Sequence, residues 1–134
     1  MIEFFIPMES PPTTTFQAKK VNWKNKVIYK PDEVKKIEED FRAWLAQYIP
    51  EEKLEGPLRL ITKWCYPYPK YFTKEMRIPT WKDTKPDTDN TVKIVKDQMT
   101  KLGYWGDDSQ VASEVIEKFW AEPTGVYFKI EPLV

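Results

Sequence analysis

Ile2, Phe4 and Ile6 alternate along the first residues of the chain, the two-residue period of a strand, and Pro7 ends the run. The PPTTT segment over 11–15 reads as a loop. Val27, Ile28 and Tyr29 predict a short strand, so the lysines before it ride on a loop or hairpin arm. Pro31, Asp32 and Glu33 then mark a helix start, where proline is tolerated and acids meet the positive end of the helix dipole. Val34, Ile37, Phe41, Trp44, Leu45 and Tyr48 form one apolar stripe through about residue 49, with Lys35, Lys36, Glu38, Glu39 and Arg42 mostly off it. Pro50 and the EEKLEGP segment close this helix.

Leu58, Leu60, Thr62, Trp64 and Tyr66 alternate on one face of the next run, with Ile61 and Cys65 on the other. That pattern predicts a central strand covered in part on both faces. Four prolines over 66–86 argue against long regular structure there. From Thr91 a helical stripe returns as Val92, Val95, Met99 and Leu102, with Lys93 and Lys96 off it and Gly103 as its stop. Two strands follow, over 115–121 and through Val126, Phe128 and Ile130, with residues 122–125 read as a hairpin turn between them. In the first of these, Val115 and Phe119 compete with Ile116 and Trp120 for the inward face, and the pattern does not choose.

Composition narrows the chemistry. The 134 residues suffice for one domain with a sizeable core, and the longest apolar runs are too short to span a membrane. A single cysteine, Cys65, cannot form an intrachain disulfide and fits a reducing cytoplasm; it reads as a small buried residue. The absence of histidine removes His-based zinc sites, Ser-His-Asp triads and histidine general bases. Catalysis must then use carboxylates, lysine, tyrosine or a metal.

The net charge is zero, but its distribution is uneven. Lys19, Lys20, Lys24, Lys26 and Lys30 form a stretch with no acid, and residues 31–56 reverse the sign. From Lys63 to Lys85 the bases dominate again, and from Asp87 to Glu122 the acids do. A fold that gathers the two basic segments presents a surface for an anionic polymer around an acidic centre. Tyr66, Tyr68, Tyr71, Phe72 and Trp81 interleave with Lys70, Lys74, Arg77, Lys82 and Lys85. Rings and cations at this density suit a groove that stacks on exposed bases and holds phosphates; the competing reading is a long loop folded over the core.

The acidic centre lies within residues 86–111, PDTDNTVKIVKDQMTKLGYWGDDSQV. If 86–89 is extended, Asp87 and Asp89 point to the same side, and their repulsion is relieved by a divalent cation. Oxygen ligands select Mg²⁺ or Mn²⁺ over zinc. Asn90 is placed to cap the helix, Lys93 lies one turn past Asp89 as a phosphate ligand or electrostatic catalyst, and Asp97 is placed to hold Lys93. Asp107 and Asp108 supply a second acidic pair of which only one joins the site, and spacing leaves open which. Either motif alone is better read as a capping loop or a surface turn; the two joined by one helix favour a metal site.

At these residues the sequence resembles the RusA family of Holliday-junction resolvases. The segments that carry the likeness are Asp87-Thr-Asp89-Asn90, Lys93, Asp97 and Tyr104-Trp105-Gly106-Asp107-Asp108-Ser109-Gln110-Val111. The resemblance implies an α+β fold, one domain over 1–134 with a small mixed β-sheet and two main helices packed on it. It also implies a homodimeric, Mg²⁺-dependent endonuclease, with Mn²⁺ able to substitute, that nicks two opposed strands of a four-way junction in DNA recombination and repair. It assigns metal-binding and catalytic roles to Asp87, Asp89 and Asp108, a supporting catalytic role to Lys93 and a secondary place to Asp107, while Asn90 and Asp97 keep the supporting places read from the helix. Lys19, Lys20, Lys24, Lys70, Lys74, Arg77, Lys82 and Lys85 are the candidate DNA contacts. The arm after the first strand is less basic than is usual in that family, with only Lys19 and Lys20 near the expected place. Two rival readings stand beside this one: a Mg²⁺-dependent nuclease for flaps, forks or other branched DNA, and a catalytically inactive DNA-binding phage protein.

Overall fold

The computed structural model describes residues 1–13, 20–22, 27–29 and 32–134, the second and third of these stretches by their backbone alone. Among the described residues seven strands and two α-helices form an α+β domain: β1 (Ile2–Pro7), β2 (Lys20–Asn22), β3 (Val27–Tyr29), α1 (Asp32–Leu45), β4 (Leu58–Tyr66), β5 (Thr80–Trp81), α2 (Thr88–Leu102), β6 (Val111–Trp120) and β7 (Gly125–Pro132). Five strands make one mixed sheet in the order β1-β7-β4-β6-β5, and β2 and β3 pair as a separate antiparallel arm.

β4 is the middle strand, parallel to β6 and antiparallel to β7. Its period-two pattern buries Leu58, Leu60, Thr62, Trp64 and Tyr66 on one face, while Ile61 and Cys65 are half-buried on the other. The Trp64 indole N–H donates to Thr62 Oγ1 at 2.9 Å, so the polar atoms of this buried pair are satisfied within the strand. Against this face pack Phe41 and Leu45 of α1 and Val92, Val95 and Met99 of α2, all nearly fully buried. At about 1.5–3 kcal/mol for each large apolar side chain removed from water, these two helix stripes supply much of the gross stabilisation. Glu38, expected off the α1 stripe, is also buried.

The chain from β6 to β7 corrects the expected hairpin. β6 and β7 are not paired; β4 lies between them, so residues 122–125 carry the chain across the end of the central strand. Residues 122–125 have turn composition but cannot reveal a third strand inserted between the two they connect. Gly125 is required where β7 begins: its φ is +145°, and a Cβ there would lie 2.2 Å from the Ile6 carbonyl oxygen of β1. The face of β6 is also settled. Ile116 and Trp120 pack toward the core, whereas Val115 is exposed and Phe119 stacks on Trp81 at 4.6 Å on the opposite side.

Candidate active site

α2 begins earlier than its apolar stripe suggests. Thr88, Asp89 and Asn90 already form its first turn, and Asp87 is the N-cap with extended backbone (φ −70°, ψ 144°). Residues 86–89 are therefore not one extended run, and Asn90 does not cap the helix. Thr91 Oγ1 donates to the Thr88 carbonyl at 2.8 Å, tightening this turn. Asp87 makes no capping hydrogen bond with its side chain and instead pairs with Lys85 Nζ at 3.1 Å. Asp89 is exposed in the first turn, where a negative charge meets the positive end of the helix dipole. Asn90 is 9% exposed, and its Oδ1 is a buried acceptor with no hydrogen-bond partner. Such an orphan ordinarily costs about 1–3 kcal/mol.

Lys93 is half-buried along α2, and its ammonium makes no hydrogen bond or ion pair among the described residues. Asp97 does not hold it. The Asp97 carboxylate pairs with Lys101 at 3.2 Å and accepts from Gln98 Nε2 at 3.3 Å, one turn further along. Lys96 pairs with Glu114 of β6, tying the middle of the helix to the sheet.

Gly103 ends α2 in the left-handed conformation, φ +86°. The Tyr104 hydroxyl then donates to the Leu45 carbonyl at 2.5 Å, and the Trp105 indole donates to Thr100 Oγ1 at 2.8 Å, locking the next turn onto both helices. In the single 3₁₀ turn Asp108–Gln110, Asp107 is the cap and accepts from the Ser109 N–H at 2.8 Å. That backbone bond is the main reason its carboxyl is held below the usual carboxylate range. The Gln110 side chain accepts from the Gly106 and Asp107 N–H groups and donates to the Leu54 and Gly56 carbonyls. Asp107 is thus committed to local structure, while Asp108 is exposed at the start of the turn.

The two acidic clusters sit at opposite ends of α2. Its fifteen residues span about 22 Å at 1.5 Å per residue. The sheet gives the same answer: Asp108 precedes the first residue of β6, whereas the segment before Asp87 is bonded to Lys118 near the other end of that strand. As oxygen donors, Asp87, Asp89 and Asp108 suit a hard divalent cation. One chain does not gather them, and among the described residues no three or more Asp, Glu or Cys side chains form a group able to hold a metal.

The basic segment divides. Lys70, Lys74, Arg77 and Lys85 are exposed, as are the rings of Tyr71 (77%) and Trp81 (64%). Lys82 is not a surface cation. It is 7% exposed, with its ammonium 4.1 Å from the Trp120 ring centroid and 5.0 Å from that of Tyr66, and burial pushes its pKa down. Tyr66 is buried too, and its hydroxyl donates to the Pro12 carbonyl. Phe72 is half-buried against Trp120. The 66–86 segment is therefore partly a cover over the sheet and partly an exposed surface of rings and cations. Lys20 lies in β2; Lys19 and Lys24 fall outside the described residues. Among the described residues no helix is long and apolar enough to cross a membrane.

Two contributors have no assigned role in the sequence reading: Gln110 belongs to the acidic motif without a stated function, and Lys118 lies on a strand whose inward face the pattern leaves undecided.

Comparison with known proteins adds a family. The family described as Endodeoxyribonuclease RusA matches residues 9–131. The chain is 38% identical over 72 residues to a protein of Lactococcus phage r1t named crossover junction endodeoxyribonuclease rusA, a match covering 52% of each chain. It is also 38% identical over 87 residues to the uncharacterized protein YqaN of Bacillus subtilis (strain 168), covering 58% of each. The chain thus spans little more than half the length of these curated relatives.

Proposed function

Because the chain belongs to the RusA family of endodeoxyribonucleases, we propose that it is a structure-specific endonuclease that resolves four-way DNA junctions by paired nicks, acting in the cytoplasm. The observation that carries this reading is the pair of exposed acidic clusters, Asp87 with Asp89 and Asp108, held rigidly at the two ends of one helix. The phage relative's name supports the same substrate.

The distance between the clusters shapes the rest of the proposal. About 22 Å of helix prevents one chain from closing three carboxylates around one ion. A twofold homodimer that sets Asp108 of one copy beside Asp87 and Asp89 of the other completes two equivalent sites, one for each strand to be cut. Mg²⁺ is the ion this donor set favours, with Mn²⁺ as substitute. When bound, such an ion supplies a water of lowered pKa and neutralises phosphate charge. The chain's own part is positioning. Lys93, with no partner of its own among the described residues, is placed one turn from Asp89 to meet the negative charge that develops on the phosphate. Asn90 keeps an unpaired acceptor beneath the same turn. Lys70, Lys74, Arg77 and Lys85 contact DNA phosphates, and Tyr71 and Trp81 stack on unpaired bases at the crossover.

The test is cleavage of a labelled four-way junction with Mg²⁺, beside a linear duplex and a flap of the same sequence. Paired, symmetric nicks in the junction are expected, with little cutting of the other two. Equal cutting of all three substrates overturns the resolvase reading, and preference for the flap replaces it with a nuclease for other branched DNA.

A further inference from the structure

Lys118 stands near the end of β6, where its ammonium donates to the Thr84 carbonyl at 2.5 Å and to the Pro86 carbonyl at 2.6 Å. These are the two main-chain oxygens that bracket Lys85, immediately before Asp87. A lysine ammonium has three donors and no acceptor, and charge-assisted bonds to carbonyl oxygens are shorter and about twice as strong as neutral ones. β6 is hydrogen-bonded to the central strand over nine residue pairs, so Lys118 is a rigid post. The segment it holds lacks regular pairing of its own: after β5 ends at Trp81, the Lys82 N–H donates to the Lys118 carbonyl and no further strand forms before α2.

A second cation works on the same segment. The Lys82 ammonium donates to Thr84 Oγ1 and rests against the Trp120 and Tyr66 rings. Two lysines therefore sit together, although like charges repel and burial disfavours the charge of Lys82. A structure that only needed to close a surface loop would not require two ammonium groups beneath it. What the arrangement does achieve is to fix the main chain that leads into Asp87 and the first turn of α2.

We propose that Lys118, assisted by Lys82, is a positioning residue for the acidic cluster. By clamping the Thr84 and Pro86 carbonyls it sets where the Asp87 and Asp89 carboxylates stand, and so how well they take a divalent cation. The proposal rests on the reading of these carboxylates as cation ligands. Lys118 touches neither substrate nor ion. A displacement of about 1 Å at such a site costs about 100-fold in rate.

The experiment compares Lys118→Met and Lys118→Arg with the wild-type chain. Lys118→Met keeps the aliphatic stem and loses the donors; Lys118→Arg keeps donors and charge. Two readouts are taken. The first is the ¹H–¹⁵N spectrum without metal, followed by titration with Mn²⁺ to read paramagnetic broadening. The expected result for Lys118→Met is displaced amide signals from Lys85 to Asn90, unchanged signals in β1 and β7, and Mn²⁺ broadening at those amides that needs at least tenfold more metal. Lys118→Arg is expected to restore most of the wild-type broadening. The second readout is junction cutting, about 100-fold slower in Lys118→Met and partly recovered by excess metal. A lower melting temperature with wild-type Mn²⁺ broadening and amide positions makes Lys118 merely structural and overturns the proposal. If wild-type protein cuts no junction, the functional reading fails, yet the spectra still decide the role of Lys118. If Lys118→Met does not fold, Lys118→Gln, with a shorter donor, is read by the same criteria.

Discussion

At the scale of single residues, the same side-chain type takes different work according to what its neighbours offer. Asp107 accepts a backbone N–H and is a cap; Asp97 pairs with Lys101; Asp87, Asp89 and Asp108 stay exposed at the surface. Replacing any of the last three by Asn keeps shape and removes charge. Each is expected to slow junction cutting by more than about 100-fold, the upper range for loss of a supporting group around a metal, while gel-shift binding of the junction persists. A variant that cuts at the wild-type rate removes that residue from the ligand set. Lys93→Ala is expected to slow cutting by about 100–1000-fold, the loss typical of one charge-stabilising donor, with an unchanged circular dichroism spectrum. An unfolded Lys93→Ala protein would make its role structural.

At the scale of elements, the acidic turn shows how local chemistry holds a loop still. Asp107 is lowered from its ordinary value of 3.8 chiefly by the Ser109 N–H. A carboxyl lowered in the folded state adds stability above its unfolded pKa, and that stability is lost as pH falls through the folded value. Melting temperature is therefore expected to fall below about pH 3.8 more steeply in the wild type than in Asp107→Asn, which keeps a capping oxygen without the charge. Parallel melting curves across that window would show that the Ser109 bond is not charge-assisted. Most elements were legible from periodicity: the alternation of Leu58 to Tyr66 marks β4, and the Val92, Val95, Met99 stripe marks α2. The start of α2 was not, because Thr88 and Asp89 are polar in the first turn and an apolar stripe begins only where the helix meets the core. The expected β6–β7 hairpin fails for a related reason. Turn composition reports a change of direction, not which strand lies alongside.

At the scale of the whole molecule, the separation of the acidic clusters makes a sharp prediction. If each site joins Asp87 and Asp89 of one copy to Asp108 of another, Asp87→Asn and Asp108→Asn homodimers are both inactive, but subunits mixed after gentle unfolding regain one intact site. Such mixtures are expected to nick one strand of a junction without resolving it. No recovered nicking on mixing would place all three ligands in one chain and require α2 to break. The sequence by itself determined the chemistry available: carboxylates without histidine, a basic ring-rich segment, and an acidic motif whose order resembles one nuclease family. Those follow from side-chain identity and short-range spacing, which need no fold to be read. Only the tertiary structure decided that β4 lies between β6 and β7, that Lys82 is buried against rings, that Lys118 clamps the approach to Asp87, and that a rigid helix holds the acidic clusters apart. Each of these depends on residues distant in the chain meeting across the sheet, and linear spacing carries no record of such meetings.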